Sequence, residues 1–132
     1  MRLAITALVF LSGLFFILLG LSFLFQPSVT VSSFGLSADG PVGLATLRAD
    51  LFPFFTFLGV CMIWGAWKRR GDLLLLPAIV LLLALIGRLV SGVLDGAGDN
   101  FIGAALIEAG MVVLLFLARS ILPHHRVQDV GD

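Results

Sequence analysis

Four apolar runs, each close to the length that crosses a bilayer, leave this chain few folds to choose from. They lie at about residues 3–25, 50–67, 73–94 and 101–122. A hydrocarbon core about 30 Å thick needs about 20 consecutive apolar residues at 1.5 Å of rise each. In that solvent every backbone N–H and C=O must be satisfied within the segment, and helices do this. The sequence therefore predicts an all-α fold, an integral membrane four-helix bundle. All 132 residues (1–132) are read as one transmembrane domain. Its bulk agrees: 60% of residues are hydrophobic and 12% charged, where soluble domains have about 45–50% and about 25%.

The first run follows the short basic start Met1-Arg2, as a secretory signal would. It exceeds the roughly 7–15 residues of a signal core, and Phe25-Gln26-Pro27 offers no small-x-small cleavage site. It is read as a retained helix. Gln26-Pro27 ends the first span, Lys68-Arg69-Arg70-Gly71 ends the second, and Pro123 closes the fourth. Asp72 is placed to cap the third span, and Asp95-Gly96-Ala97-Gly98-Asp99-Asn100 forms a turn before the fourth. Such short connections make neighbouring spans antiparallel.

Residues 26–49 form the one long loop, on the outer side. Residues 28–37, rich in Ser, Thr and Val without helical period, are expected as irregular or extended chain. Asp39-Gly40-Pro41 resembles a helix start, so the second helix has an alternative origin near Pro41, which would make it about 40 Å long. Pro53 lacks the N–H for the carbonyl of Ala49 and is expected to kink that helix. Residues 123–132 form a short polar tail.

Arg2, Lys68, Arg69, Arg70, Arg119 and Arg126 all fall on the side that carries both termini. The opposite side has Arg48 with Asp39, Asp95 and Asp99. Positive charge accumulates on the cytoplasmic side, so both termini are expected there, and Trp64 and Trp67 suit the aromatic belt of that face.

Two charges interrupt the apolar runs: Arg88 in the third and Glu108 in the fourth. A charge within a span costs roughly 2.5–3.5 kcal/mol on insertion scales and tends to face the bundle interior. Fifteen Leu, Ile or Val residues in 73–94 outweigh one Arg. Counting rise, Arg88 lies about 9 Å and Glu108 about 10–11 Å below the outer ends of their helices. Antiparallel neighbours thus bring them to one depth. Ser91 and Asp95 share a face with Arg88 at i+3 and i+7, while Arg48 and Asp50 approach from the outer end of the second helix. Arg48, Asp50, Arg88, Ser91, Asp95 and Glu108 together are the candidate site. It is either an ionic lock that fixes helix register or a polar pocket, open to the outside, for a small molecule, a lipid or a quinone. Around Glu108, the small residues Gly103, Ala104, Ala105, Ala109 and Gly110 are expected to let helices approach closely.

Other classes find no support. Net charge is +0, so no basic face invites nucleic acid. Cys61 has no second cysteine to pair with, and its apolar neighbours suit an inert thiol. His124-His125 is adjacent rather than i and i+4, unsuited to a shared metal. Phe52, Phe54, Phe55 and Phe57 are expected as belt or packing residues. No serine has His and acid partners, no glycine loop cradles phosphate, and no His pair suits haem. The residues name no catalytic group and no cofactor.

Leu47-Arg48-Ala49-Asp50, Gly87-Arg88-Leu89-Val90-Ser91, Leu94-Asp95-Gly96 and Glu108 together resemble a bacterial domain-of-unknown-function family of small four-helix membrane proteins, DoxX-like in layout. The resemblance runs from the first helix to about Ala118, and the Gly-Arg…Asp-Gly segment is its most specific part. It implies a four-helix bundle in the inner (cytoplasmic) membrane and supplies no activity. Members tend to have Glu followed by small residues where this chain has Asp50-Leu51-Phe52-Pro53. DoxX-like relatives have been linked to quinone-coupled sulfur oxidation, but no residue here maps to a quinone or thiosulfate site. The expected role is an accessory subunit of a membrane assembly, with the lipid bilayer, other membrane proteins or a second copy as partners. The alternative is binding or transport in the pocket around Arg88 and Glu108.

Overall fold

The computed structural model describes residues 1–123 and contains no strand among them. Five α-helices follow in order: α1 (Arg2–Phe25), α2 (Pro27–Ser32), α3 (Gly40–Trp67), α4 (Leu75–Leu94) and α5 (Phe101–Ile121). A single 3-10 turn, Gly71–Leu74, leads into α4. Four stretches are long and apolar enough to cross a membrane: Arg2–Phe25, Gly40–Trp67, Gly71–Leu94 and Phe101–Ile121.

The sequence places the loop between the first two spans less well than the spans. Residues 28–37 are not irregular throughout, because α2 occupies their first half. Pro27 at its first turn presets φ, and Thr30 and Ser32 return their hydroxyls to the carbonyls of Gln26 and Val29. Pro27 and Val31, four apart, are its buried face. The second long helix starts at Gly40, the earlier of the two origins expected rather than near Asp50, with Pro41 in its first turn. Pro53 is accommodated inside that continuous helix. Asp72 does not cap α4: it sits in the 3-10 turn and pairs with Arg70 at 2.8 Å.

The bundle is two antiparallel pairs. In the first, α1 and α3 meet backbone to backbone. A Cβ on Gly13 would lie 2.9 Å from the carbonyl oxygen of Gly59, and one on Gly20 would strike the hydroxyl of Thr56. Such small residues allow van der Waals packing where lipid removes the hydrophobic drive between helices. In the second pair, Gly92 of α4 admits the ring of Phe101 from α5.

The pairs join at the end that carries Met1 and the 68–74 turn. Val9 and Phe16 from α1, Met62 from α3, Ala78 from α4, and Leu115 and Ala118 from α5 form part of one core there. Gly71 tightens the junction: its N–H donates to the carbonyl of Pro123 at 3.2 Å, and a Cβ on it would lie 2.7 Å from that of Arg119. At the opposite end, Phe23, Phe34 and Phe55 cluster with ring centroids 5.4–6.0 Å apart, closing α1, the turn after α2, and α3 together. Among the described residues nothing comparable covers α4 and α5 there, and their buried residues stop at Leu81 and begin at Val112.

Candidate functional site

The apolar stripe that α4 turns to the core runs Leu74, Ala78, Leu81, and its 3–4 spacing continues through Leu85 to Arg88 and Gly92. On α5 the stripe Leu122, Leu115, Val112 continues to Glu108. Arg88 and Glu108 are therefore the next layers of the core stripes, beyond the point where α1 and α3 cover them. Their side chains meet in a two-pronged bridge. Arg88 Nε donates to Glu108 Oε2 at 2.9 Å and Arg88 Nη2 to Oε1 at 2.7 Å. The planar guanidinium matches both carboxylate oxygens at once, the stronger form of such a pair. Arg88 retains 34% and Glu108 18% side-chain accessibility, so the bridge lies at the bundle's edge rather than sealed within it.

The remaining candidates do not join them. Ser91 donates to Asp95 at 2.9 Å, an i,i+4 contact of exposed residues at the end of α4. Arg48 instead turns its Nε to the carbonyl of Leu24 at 3.0 Å, satisfying an orphan acceptor in the last turn of α1. Asp50 is exposed, and its carboxylate makes no hydrogen bond or ion pair among the described residues. The six candidates thus separate into one bridge, one local contact, one helix-end bond and one free carboxylate.

Close approach occurs elsewhere than the sequence suggests. Gly103 and Gly110 face open space, whereas Gly13, Gly20 and Gly59 make the tight seam. The signal for that seam was present in the sequence: Gly13 and Gly20 are seven apart, hence on one helix face. Phe55 packs against Phe16 and Phe23, while Phe57 is exposed. Trp64 and Trp67 are also exposed. No group of His, Cys, Asp and Glu among the described residues is placed to hold a metal ion. His124-His125, Arg126 and the rest of the polar tail after Pro123 lie outside the described residues.

Fold and site together define an all-helical bundle of four membrane-length spans with an ion pair between the two helices of the α4–α5 hairpin. Residues 4–119 match the family described as a domain of unknown function, DUF4345, and the chain belongs to that family. No curated protein and no solved structure gives a match.

Proposed function

We propose that this protein is an accessory subunit of a membrane assembly, docking through the half of α4 and α5 that lies beyond Leu81 and Val112. The observation that carries this reading is the bareness of that half. Among the described residues it buries none, and Val93, Ile102, Leu106 and Ile107 are 67–85% exposed. Gly103 and Gly110, seven apart on one face of α5, have nothing near the position of a Cβ. Small residues flanked by aliphatic ones form the kind of groove into which another membrane helix packs. The closed Arg88–Glu108 bridge fixes the α4–α5 register that presents this face. The partner is another membrane protein or a second copy of this chain.

The orientation belongs to the same reading: both termini in the cytoplasm of a bacterium, the protein in its inner membrane, with a DoxX-like arrangement of spans. Arg2, Lys68, Arg69, Arg70 and Arg119 at one end support the polarity. Purification in several mild detergents tests the role. The wild type should run as an assembly, and Gly103→Leu with Gly110→Leu should release it as a folded single chain. Recovery of the wild type as a lone monomer in every detergent would end the proposal.

A second reading rests on the accessibility left to Arg88 and Glu108. The Ser91–Asp95 pair continues a polar path from the bridge to the end of α4, as a site for a small polar molecule, lipid or quinone would require. Under that reading a bound molecule should protect Arg88 from guanidinium-directed labelling, and Asp95→Asn, which leaves Arg88 and its bridge in place, should weaken the protection.

A further inference from the structure

The opposite end of the molecule carries a different arrangement. Helix α3 ends in a Schellman motif: Arg70 N–H donates to the carbonyl of Gly65 at 2.9 Å and Arg69 N–H to that of Ala66 at 3.2 Å. The residue just past the cap in this motif is usually glycine, because its φ is positive. Here it is Arg69, at φ 51°. A long side chain in left-handed backbone is unfavourable, and such outliers concentrate where ligands are held. Gly71 stands only two positions on, so the chain has glycine nearby but not at this cap.

Arg69 stands where two cavities meet. One is an apolar groove of about 510 Å³ along α1 and α3, walled by Ala7, Phe10, Leu11 and Trp67. The other is a more enclosed recess of about 250 Å³ between the start of α1 and the end of α5, bounded by Arg2 and Pro123. Leu3, Thr6 and Arg69 line both, so groove and recess adjoin at these residues. Among the described residues, the recess is lined by two arginines and by no Asp or Glu. Thr6 gives its hydroxyl proton to the carbonyl of Arg2 at 2.9 Å, which leaves the two arginines as the side-chain donors among the lining residues.

We propose that this composite cavity is a binding site for one anionic phospholipid. Its phosphate lies between Arg2 and Arg69, and one acyl chain runs along the groove past Phe10 and Trp67. Guanidinium groups match phosphate oxygens in two-pronged geometry, and basic recesses at the ends of membrane helices suit such head groups. An aliphatic chain fits the groove because, among the described residues, only Thr6, Arg69 and the indole N–H of Trp67 bring polar side-chain groups to its lining. A free phosphate compound would use the recess alone and have no use for the groove.

The test uses the full chain reconstituted in vesicles of phosphatidylcholine with about one-fifth phosphatidylglycerol, then released and examined by native mass spectrometry for retained lipid. Wild type should keep one phosphatidylglycerol in preference to phosphatidylcholine. Arg69→Gly should raise the melting temperature, because glycine suits the cap, yet retain phosphatidylglycerol about fivefold less, as expected for one lost cation at a lipid head group. Arg2→Gln should show the same loss of retention. Lys68→Gln removes equal charge one residue away, outside the recess, and should retain lipid as wild type does. Equal loss in Lys68→Gln would mean general surface charge and overturn the site. So would full retention in Arg69→Gly, no preference over phosphatidylcholine, or displacement of the lipid by glycerol 3-phosphate.

Discussion

A Cβ placed on Gly59 would stand 2.5 Å from the carbonyl oxygen of Gly13, so α1 and α3 touch through their backbones at that level. Ile17 lies equally close to the same point, and no flexible side-chain tip alone can yield the room. Gly59→Ala should therefore cost about 1–3 kcal/mol, and Gly59→Leu more. Gly110→Ala, where space is open, should stay within about 0.5 kcal/mol of wild type. Thermal unfolding in detergent measures both. Equal effects at the two glycines would mean that the α1–α3 seam is looser than the structure has it.

The Arg88–Glu108 bridge makes a second prediction. Arg88→Leu strands a carboxylate at membrane depth and should cost roughly 3 kcal/mol. Glu108→Leu should cost about as much by stranding the guanidinium. The double change Arg88→Leu with Glu108→Leu leaves no charge behind and should recover much of the loss, an interaction energy of about 1–3 kcal/mol in the cycle. Complementation of a deletion strain by the same variants separates roles: a stable double variant that still complements marks a lock, and one that fails marks a site that needs its charges. Harmless single changes would refute the pairing.

At the far ends of α4 and α5, Gly92 receives the ring of Phe101. Gly92→Val should push that ring out and destabilise by about 1–2 kcal/mol. Phe101→Ala should relieve the clash, so the double variant should lie closer to Phe101→Ala alone than additivity predicts. Additive losses would show that the ring is not what Gly92 accommodates.

Orientation is checked by reporters that act only outside the cytoplasm. Fused within residues 33–38, between α2 and α3, such a reporter should be active. Fused at the C-terminus, it should be silent. The opposite pattern would invert the polarity argued from Arg2, Lys68, Arg69, Arg70 and Arg119.

How well the residues foretold the structure depended on whether a signal was local. Spans were legible because run length and composition are properties of a single segment. Arg88 and Glu108 were legible as neighbours because a short turn and a 1.5 Å rise fix their relative depth. The place of Arg48 and Asp50 relative to Arg88 is not legible, for the converse reason. Their distance from Arg88 depends on how the α1–α3 pair leans against α4–α5, which no local pattern encodes. Arg48 found a carbonyl at the end of α1 instead. The six-residue α2 was hidden because a helix so short shows barely one and a half turns of period, and its Val and Thr residues have a modest helix preference. The glycines near Glu108 looked like a packing seam, yet glycine spacing identifies a face able to approach another helix without saying which one. Gly13 and Gly59 used that ability within the chain, whereas Gly103 and Gly110 did not.

The ion pair also bears on the order of biosynthesis. Arg88 and Glu108 are 20 residues apart, so the ribosome delivers the arginine to the membrane before its carboxylate has been made. The fifteen aliphatic residues around it allow α4 to enter the bilayer unaided. The bridge then forms only once α5 has followed, as a second event between helices already in place. A nascent chain halted before Glu108 should hold α4 with an unmatched guanidinium, drawn toward the head groups and water. Release of the halt should draw it back as the second half of the hairpin arrives.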